Sequence, residues 1–251
     1  MIATRRPGRL RLATTPVAVG LTLLALYLWV HGADVPPEEA GVLSPDFIGT
    51  RLTQHVELSV TSFLIAAALA LPLGVAAARG GPGVRLPVLL AANLGQAIPS
   101  IALLALVFTV TGFTFRTTVI ALVVYAVLPI LRNTMAGLRG VDADAIEAAR
   151  GMGMSPLQVL LRVELPLASP VVFAGLRTAL VLVVGTATLG NFVGGGGLGD
   201  VIESGLTAAG LEPASRIVVV GAVLVAALAL LADWLLGLVE RVVVPATWEE
   251  G

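Results

Sequence analysis

Six stretches of this chain, residues 16–30, 56–78, 86–110, 115–131, 170–192 and 217–238, are apolar over most of their length. A hydrocarbon core needs roughly 20 residues of helix to cross. A backbone in lipid must satisfy its own hydrogen bonds, and a helix does so within one segment. The runs therefore predict an all-α membrane protein, a polytopic bundle of about six transmembrane helices. The fourth run is the weakest, because it needs Thr117 and Thr118 to reach full length and carries Arg116 at its rim. Nothing alternates polar and apolar residues in the manner of a membrane barrel. Composition agrees: 12% of residues are charged, against about 25% in ordinary globular domains.

The basic N-terminus MIATRRPGRLRL precedes the first run, as in a signal peptide, but the following HGADVPPEEA offers no convincing small-residue cleavage site. Pro7 and Gly8 follow Arg5 and Arg6, unlike the apolar pattern of a twin-arginine signal, so the first run is expected to remain as a span. Arginine placement sets the orientation. With the N-terminus inside, Arg51, Arg116 and Arg216 fall outside, Arg177 lies near or within the fifth run, and the remaining arginines are cytoplasmic. Asp34, Glu38, Glu39 and Asp46 occupy the first outer loop, and both termini are expected inside. The chain divides into an N-terminal segment (1–55), a core (56–240) carrying an inner loop at 132–166, and a tail (241–251).

Several functions are excluded by what is missing. A net charge of −1 gives no reason to expect a nucleic-acid partner. The absence of cysteine rules out disulfides, thiolate catalysis and cysteine–zinc sites. All 15 basic residues are arginine. A phosphate-binding loop needs a lysine, so this chain is not expected to hydrolyse ATP. Gly194, Gly196 and Gly199 satisfy G-x-G-x-x-G formally, but no strand precedes them, as a dinucleotide site would require. They are read instead as the end of the fifth span and a tight outer turn, with a short surface or re-entrant helix over 200–213. His31 and His55 are isolated, with no carboxylate at ligand spacing, and no metal site is expected.

The inner loop holds the charged, punctuated stretch EAARGMGMSPLQVLLRVELP at 147–166. Asp142 is placed as an N-cap, with Asp144 in the first turn and Arg150 at the far end, both suited to the helix dipole. Ala145, Ala148 and Ala149 give a smooth face, and Gly151 and Gly153 stop the helix. A second helix begins with Ser155 as N-cap, Pro156 at the first position and Gln158 completing a capping box. Pro166 is expected to break or kink the chain before the fifth span. One reading is a solvated connection; the other is a docking surface for a soluble partner that pushes on the fifth span. Connecting loops are usually short and rarely carry two capped helices, which favours docking.

Polar groups also occur inside the apolar runs. Asn93, Gln96 and Ser100 flank Pro99 in the third, and such groups face either an aqueous path or another helix. Gly185, Thr186, Ala187 and Thr188, followed by Asn191, form a small hydroxyl-bearing patch in the fifth, read as a pathway wall or a close helix crossing. Arg177 is expected near the inner rim, snorkelling or paired with a carboxylate, and Asp233 solvated or paired with an arginine such as Arg241.

Glu147, Ala148, Ala149, Gly153, Val163, Leu165 and Pro166 stand at a spacing that resembles the signature of permease subunits of bacterial ATP-binding cassette importers: Glu-Ala-Ala, three residues, Gly, nine residues, an aliphatic residue, one residue, Leu-Pro. The resemblance implies the type I importer permease fold. It implies two ATPase subunits docked on the inner loops, with ATP bound there and no cofactor in this chain. It further implies an extracytoplasmic binding protein and a second permease copy or paralogue in the bacterial cell membrane. By that resemblance Glu147 and Gly153 shape the coupling helices. The stretches GQAIPSIALLAL, YAVLPILRNTMAGLRGVDADAIEAARGMGMSPLQ and GTATLGNFVGGGGLGD look like the osmoprotectant branch, which imports glycine betaine, proline betaine, carnitine and choline. Asn191 and Phe192 depart from the small or apolar residues usual there. Aromatics do not cluster into a cage for a quaternary ammonium, so specificity is expected in the binding protein. The competing readings are a permease for another small polar solute such as an amino acid, a stand-alone secondary transporter, a channel and an intramembrane enzyme. The sequence lacks the coupling-ion sites, charge ring or nucleophile–base pair that the last three need.

Overall fold

The computed structural model describes residues 9–32, 35, 37–207 and 215–244. Arg5, Arg6, Asp34, the last residues of the 200–213 segment and the tail beyond 244 lie outside them. Every described element is helical: α1 (Arg9–His31), α2 (Pro37–Ala40), α3 (Pro45–Arg79), α4 (Pro82–Ala97), α5 (Ser100–Thr111), α6 (Phe115–Arg139), α7 (Ala143–Gly151), α8 (Pro156–Val159), a π turn (Leu160–Glu164), α9 (Leu165–Thr186), a 3-10 segment (Ala187–Val193), α10 (Leu198–Thr207) and α11 (Ser215–Val243). Five helices are long and apolar enough to cross a membrane, or six if the bent pair α4–α5 is one span.

Three elements depart from the sequence reading. The third span is not a single rod: α4 and α5 meet at 101°. Ile98 and Pro99 are extended at the break, where Pro99 supplies no amide to continue the helix. The fourth span, weakest by composition, is the most buried of the candidate spans. Thr117 and Thr118 are wholly buried in it, so their hydroxyls face protein rather than lipid. Pro166 neither breaks nor kinks the chain, because it sits in the first turn of α9, where a missing amide is tolerated. The helical path runs on from Pro156 to Val193, and the irregularity falls one turn earlier, in the π turn. In addition, α3 starts at Pro45 and runs unbroken through the division expected at residue 55.

The core is the triplet α3, α6 and α9, with Leu58, Leu122, Ile130, Leu131, Ala179 and Val183 buried at its centre. The helices approach closely at glycines. A Cβ on Gly175 of α9 would lie 2.5 Å from Cβ of Asn133 and 2.9 Å from the Pro129 carbonyl of α6, and one on Gly74 of α3 would lie 2.7 Å from Thr134. Small residues at such crossings let backbones meet where no hydrophobic force draws helices together. Outside the triplet, α11 packs on α9 and α10, and α1 packs on α11.

Prolines inside the spans leave carbonyls without partners, and side chains repair them. Pro129 has no amide to offer the carbonyl of Tyr125 four residues back, and Gln96 Nε2 donates to that carbonyl at 2.7 Å. In return the Tyr125 hydroxyl donates to the Ile98 carbonyl at the α4–α5 break. Pro170 likewise deprives the Pro166 carbonyl, which accepts from Ser169 Oγ at 2.6 Å.

Candidate functional site

Between α6 and α9 the chain leaves the bundle as a compact knob. Asp142 caps α7, accepting from the Asp144 amide at 2.9 Å. The helix runs through Gly151, and the chain reverses at Gly153, whose φ of +80° is a left-handed conformation that glycine adopts without strain. Ser155 and Gln158 form the full capping box at the start of α8. Ala149 is buried, whereas Glu147, Ala148 and Gly153 are exposed; Leu165 and Pro166 are half-buried where the knob joins α9. Met152, Leu157 and Leu161 are 72%, 62% and 55% exposed. The knob thus presents apolar side chains, together with the exposed Glu147 and Arg150, on a backbone held by caps.

Arginines tie the knob to the core. Arg79, the last residue of α3, reaches the Pro156 carbonyl at 3.2 Å and Glu164 Oε1 at 3.1 Å. Glu164 is 5% exposed, and a buried carboxylate requires such a partner. Arg139, at the end of α6, donates to the carbonyls of Ala77 and Ala78 at 3.1 and 3.5 Å, in the last turn of α3. In the sequence these arginines served only as markers of orientation.

At the opposite end of α3 lies a second polar cluster. The left-handed glycines Gly194, Gly196 and Gly197 turn the chain from the 3-10 segment into α10. A Cβ on Gly199 would collide with the Thr188 carbonyl, so the turn closes only with glycine there. The first amides of α10 are capped from α3: Gln54 Oε1 accepts from Gly197 N at 3.2 Å and His55 Nδ1 from Leu198 N at 3.2 Å. His55 is fully buried, and its Nε2 donates to the Val184 carbonyl at 2.9 Å. That carbonyl lies in the last turn of α9, just before the 3-10 segment. The two contacts fix the tautomer with the proton on Nε2. Arg51 bonds Gln54 at 2.9 Å and Asp200 at 3.0 Å, and Asn191 Nδ2 donates to Glu203 at 2.8 Å. Burial pushes the Asp200 carboxyl upward from its ordinary value; Arg51 opposes the shift and Glu203 adds to it.

The polar residues singled out within the apolar runs fall in two places. Asn93 donates to the Leu89 carbonyl at 2.6 Å and accepts from Arg132; with Gln96 and the half-buried Ser100 it surrounds the α4–α5 bend. Thr186, Thr188 and Asn191 lie at the α9-to-3-10 transition, with Thr188 Oγ1 donating to the Gly185 carbonyl at 2.7 Å. Arg177 pairs with Asp233 through two bonds of 2.8 and 2.7 Å and lies 3.6 Å from Glu240; Asp233's partner is therefore Arg177, not Arg241. Among the described residues no group of three or more metal-ligating side chains forms. His55, Gln54 and Arg79 were not picked out as site residues in the sequence.

Comparison with known proteins places this geometry. Residues 70–244 match the family described as binding-protein-dependent transport system inner membrane component. The chain is 43% identical over 201 residues, 79% of its length and 87% of the relative's, to the carnitine transport permease protein OpuCD of Listeria monocytogenes serotype 1/2a. It is 40% identical over 195 residues, 77% and 87% of the two lengths, to the choline transport system permease protein OpuBB of Bacillus subtilis. It is 35% identical over 228 residues, 90% and 93%, to the osmoprotectant import permease protein OsmY of Salmonella typhimurium. A solved structure of the MetNI methionine ABC transporter in inward-facing conformations shares the fold, with a TM-score of 0.70 at 24% identity, covering 81% of this chain and all of that one. Such subunits are non-catalytic inner-membrane components that work with a partner ATPase and a substrate-binding protein. The chain belongs to the family of inner-membrane permease components of binding-protein-dependent ATP-binding cassette importers.

Proposed function

We propose that this permease forms the path for an osmoprotectant quaternary amine: glycine betaine, carnitine, choline or proline betaine. Two ATPase subunits dock on the cytoplasmic knobs of two permeases, either copies of this chain or this chain and a paralogue, and a binding protein delivers solute on the far side. Both termini lie inside; ATP is bound by the partners, and this chain needs no cofactor. The observation that carries the docking reading is the capped knob itself, with Met152, Leu157 and Leu161 exposed. Apolar side chains so placed on a stiff element suit a partner's groove. Glu147, Ala148, Ala149 and Gly153 shape the docking surface, and Leu165 and Pro166 join it to α9. The names of relatives such as OpuCD and OpuBB support the substrate class. Asn93, Gln96, Ser100, Thr186, Thr188 and Asn191 line the path, and Gln96 also ties the end of α4 to α6.

Gly153→Arg tests the docking assignment. A Cβ at Gly153 meets nothing within 4 Å, so the substitution costs only about 1–2 kcal/mol of left-handed strain and places a charged side chain on the docking face. The variant is expected to insert normally and to lose ATPase co-purification or uptake; full uptake with ATPases bound refutes the assignment. Binding of labelled betaine, carnitine and choline to the cognate soluble protein tests the substrate class, and binding of none of them refutes it.

A further inference from the structure

We propose that Arg79 is a positioning residue that carries motion of the knob directly into α3, around the π turn at the foot of α9. The inference rests on the docking reading above. The covalent route from knob to bundle passes through Leu160–Glu164, where the helix is wound with i→i+5 bonds. Such turns are local irregularities frequent at functional sites. A push arriving by that route meets the least regular part of the helix.

Arg79 offers a second route. Its Nη2 touches Pro156 O, at the start of α8, at 3.2 Å and Glu164 Oε1, at the end of the π turn, at 3.1 Å, so one guanidinium spans α8 and the π turn together. The brace is anchored on α3, whose last turn Arg139 fastens to α6. From Arg79 the same helix, continuous through Pro72, runs to His55 and Gln54, about 36 Å away at 1.5 Å per residue. There α3 holds the first amides of α10 and the last turn of α9. Movement of the knob is therefore delivered by a single rod to the glycine turn at the other end of the bundle.

The test uses the complete transporter, with ATPases and binding protein, in proteoliposomes. ATPase co-purification, ATP hydrolysis and uptake of labelled glycine betaine, carnitine or choline are measured for R79A, R79K and the exchange R79E/E164R. R79A is expected to keep its ATPases and their hydrolysis while solute moved per ATP falls roughly three- to thirtyfold. R79K recovers part of the ratio, and so does the exchange, which restores the ion pair but not the bond to the Pro156 carbonyl. An unchanged ratio in R79A overturns the proposal, as does an exchange variant that assembles but recovers nothing. Loss of ATPases from R79A overturns it too, since Arg79 would then serve docking rather than transmission. If the wild-type chain itself binds no ATPase, the docking reading fails instead. Should R79A not accumulate, R79C/E164C in this otherwise cysteine-free chain is joined by a short bismaleimide. Uptake that survives the cross-link supports a rigid brace, and uptake abolished by it overturns the proposal.

Discussion

His55 carries a load that can be measured. Replacing it with leucine keeps an apolar body of similar bulk but removes both ring nitrogens. Leu198 N–H then loses its acceptor at 3.2 Å and the Val184 carbonyl its donor at 2.9 Å. The histidine is fully buried, so water cannot replace either bond without opening the turn. Each orphaned buried group costs about 1–3 kcal/mol, which together gives roughly 2–6 kcal/mol, a large part of a typical stability. His55→Gln is the control, because its carboxamide can both accept from Leu198 and donate to Val184. Unfolding in mixed micelles by SDS titration, followed by circular dichroism, reads the difference. The leucine variant should unfold at markedly lower SDS fraction, with the glutamine variant between it and the parent. A leucine variant within about 0.5 kcal/mol of the parent, the ordinary range for a featureless surface site, refutes the capping argument. So does a glutamine variant no better than leucine.

Two further outcomes follow from the same end of the bundle. Gly199→Ala sets a methyl group on the Thr188 carbonyl and should lower the unfolding midpoint sharply, whereas Gly20→Ala, with open space around it, should leave it within error. The raised Asp200 carboxyl means that the folded state holds its proton to higher pH than the unfolded chain does. Its contribution to stability therefore falls as pH rises from the ordinary aspartate value through the folded one, and recovers on acidification. Asp200→Asn should flatten that part of the stability–pH curve, and an unchanged curve would show that Asp200 is not its source.

Much of the architecture could be read from the residues, and the exceptions have physical causes. Caps are local chemistry, so Asp142, Ser155 and Gln158 announce the knob before any coordinates exist. Glycines and prolines mark irregular backbone, but not its form. Pro99 signals a lost bond, yet whether the span kinks slightly or turns by 101° depends on Gln96 and Tyr125, which meet only in the fold. The fourth span looked marginal because threonines lower hydropathy. A hydropathy count cannot see that Thr117 bonds Thr111 and the Gly112 carbonyl and that Thr118 packs on Gly190 and Gly195, both away from lipid. His55 was passed over because an isolated histidine is chemically mute until its neighbours are known, and Val184 and Leu198 lie 129 and 143 residues away. Arg79 and Glu164 are likewise distant in sequence, and a charge count assigns them only a side of the membrane.

The exchange between Gln96 and Tyr125 has a mechanical corollary. Each side chain secures the other segment's main chain, so drawing the end of α4 away from α6 would have to sever both ties in one event. The foot of the elbow is accordingly fixed to α6 as a bracket is to its post, and the freedom to flex falls beyond it, toward α5.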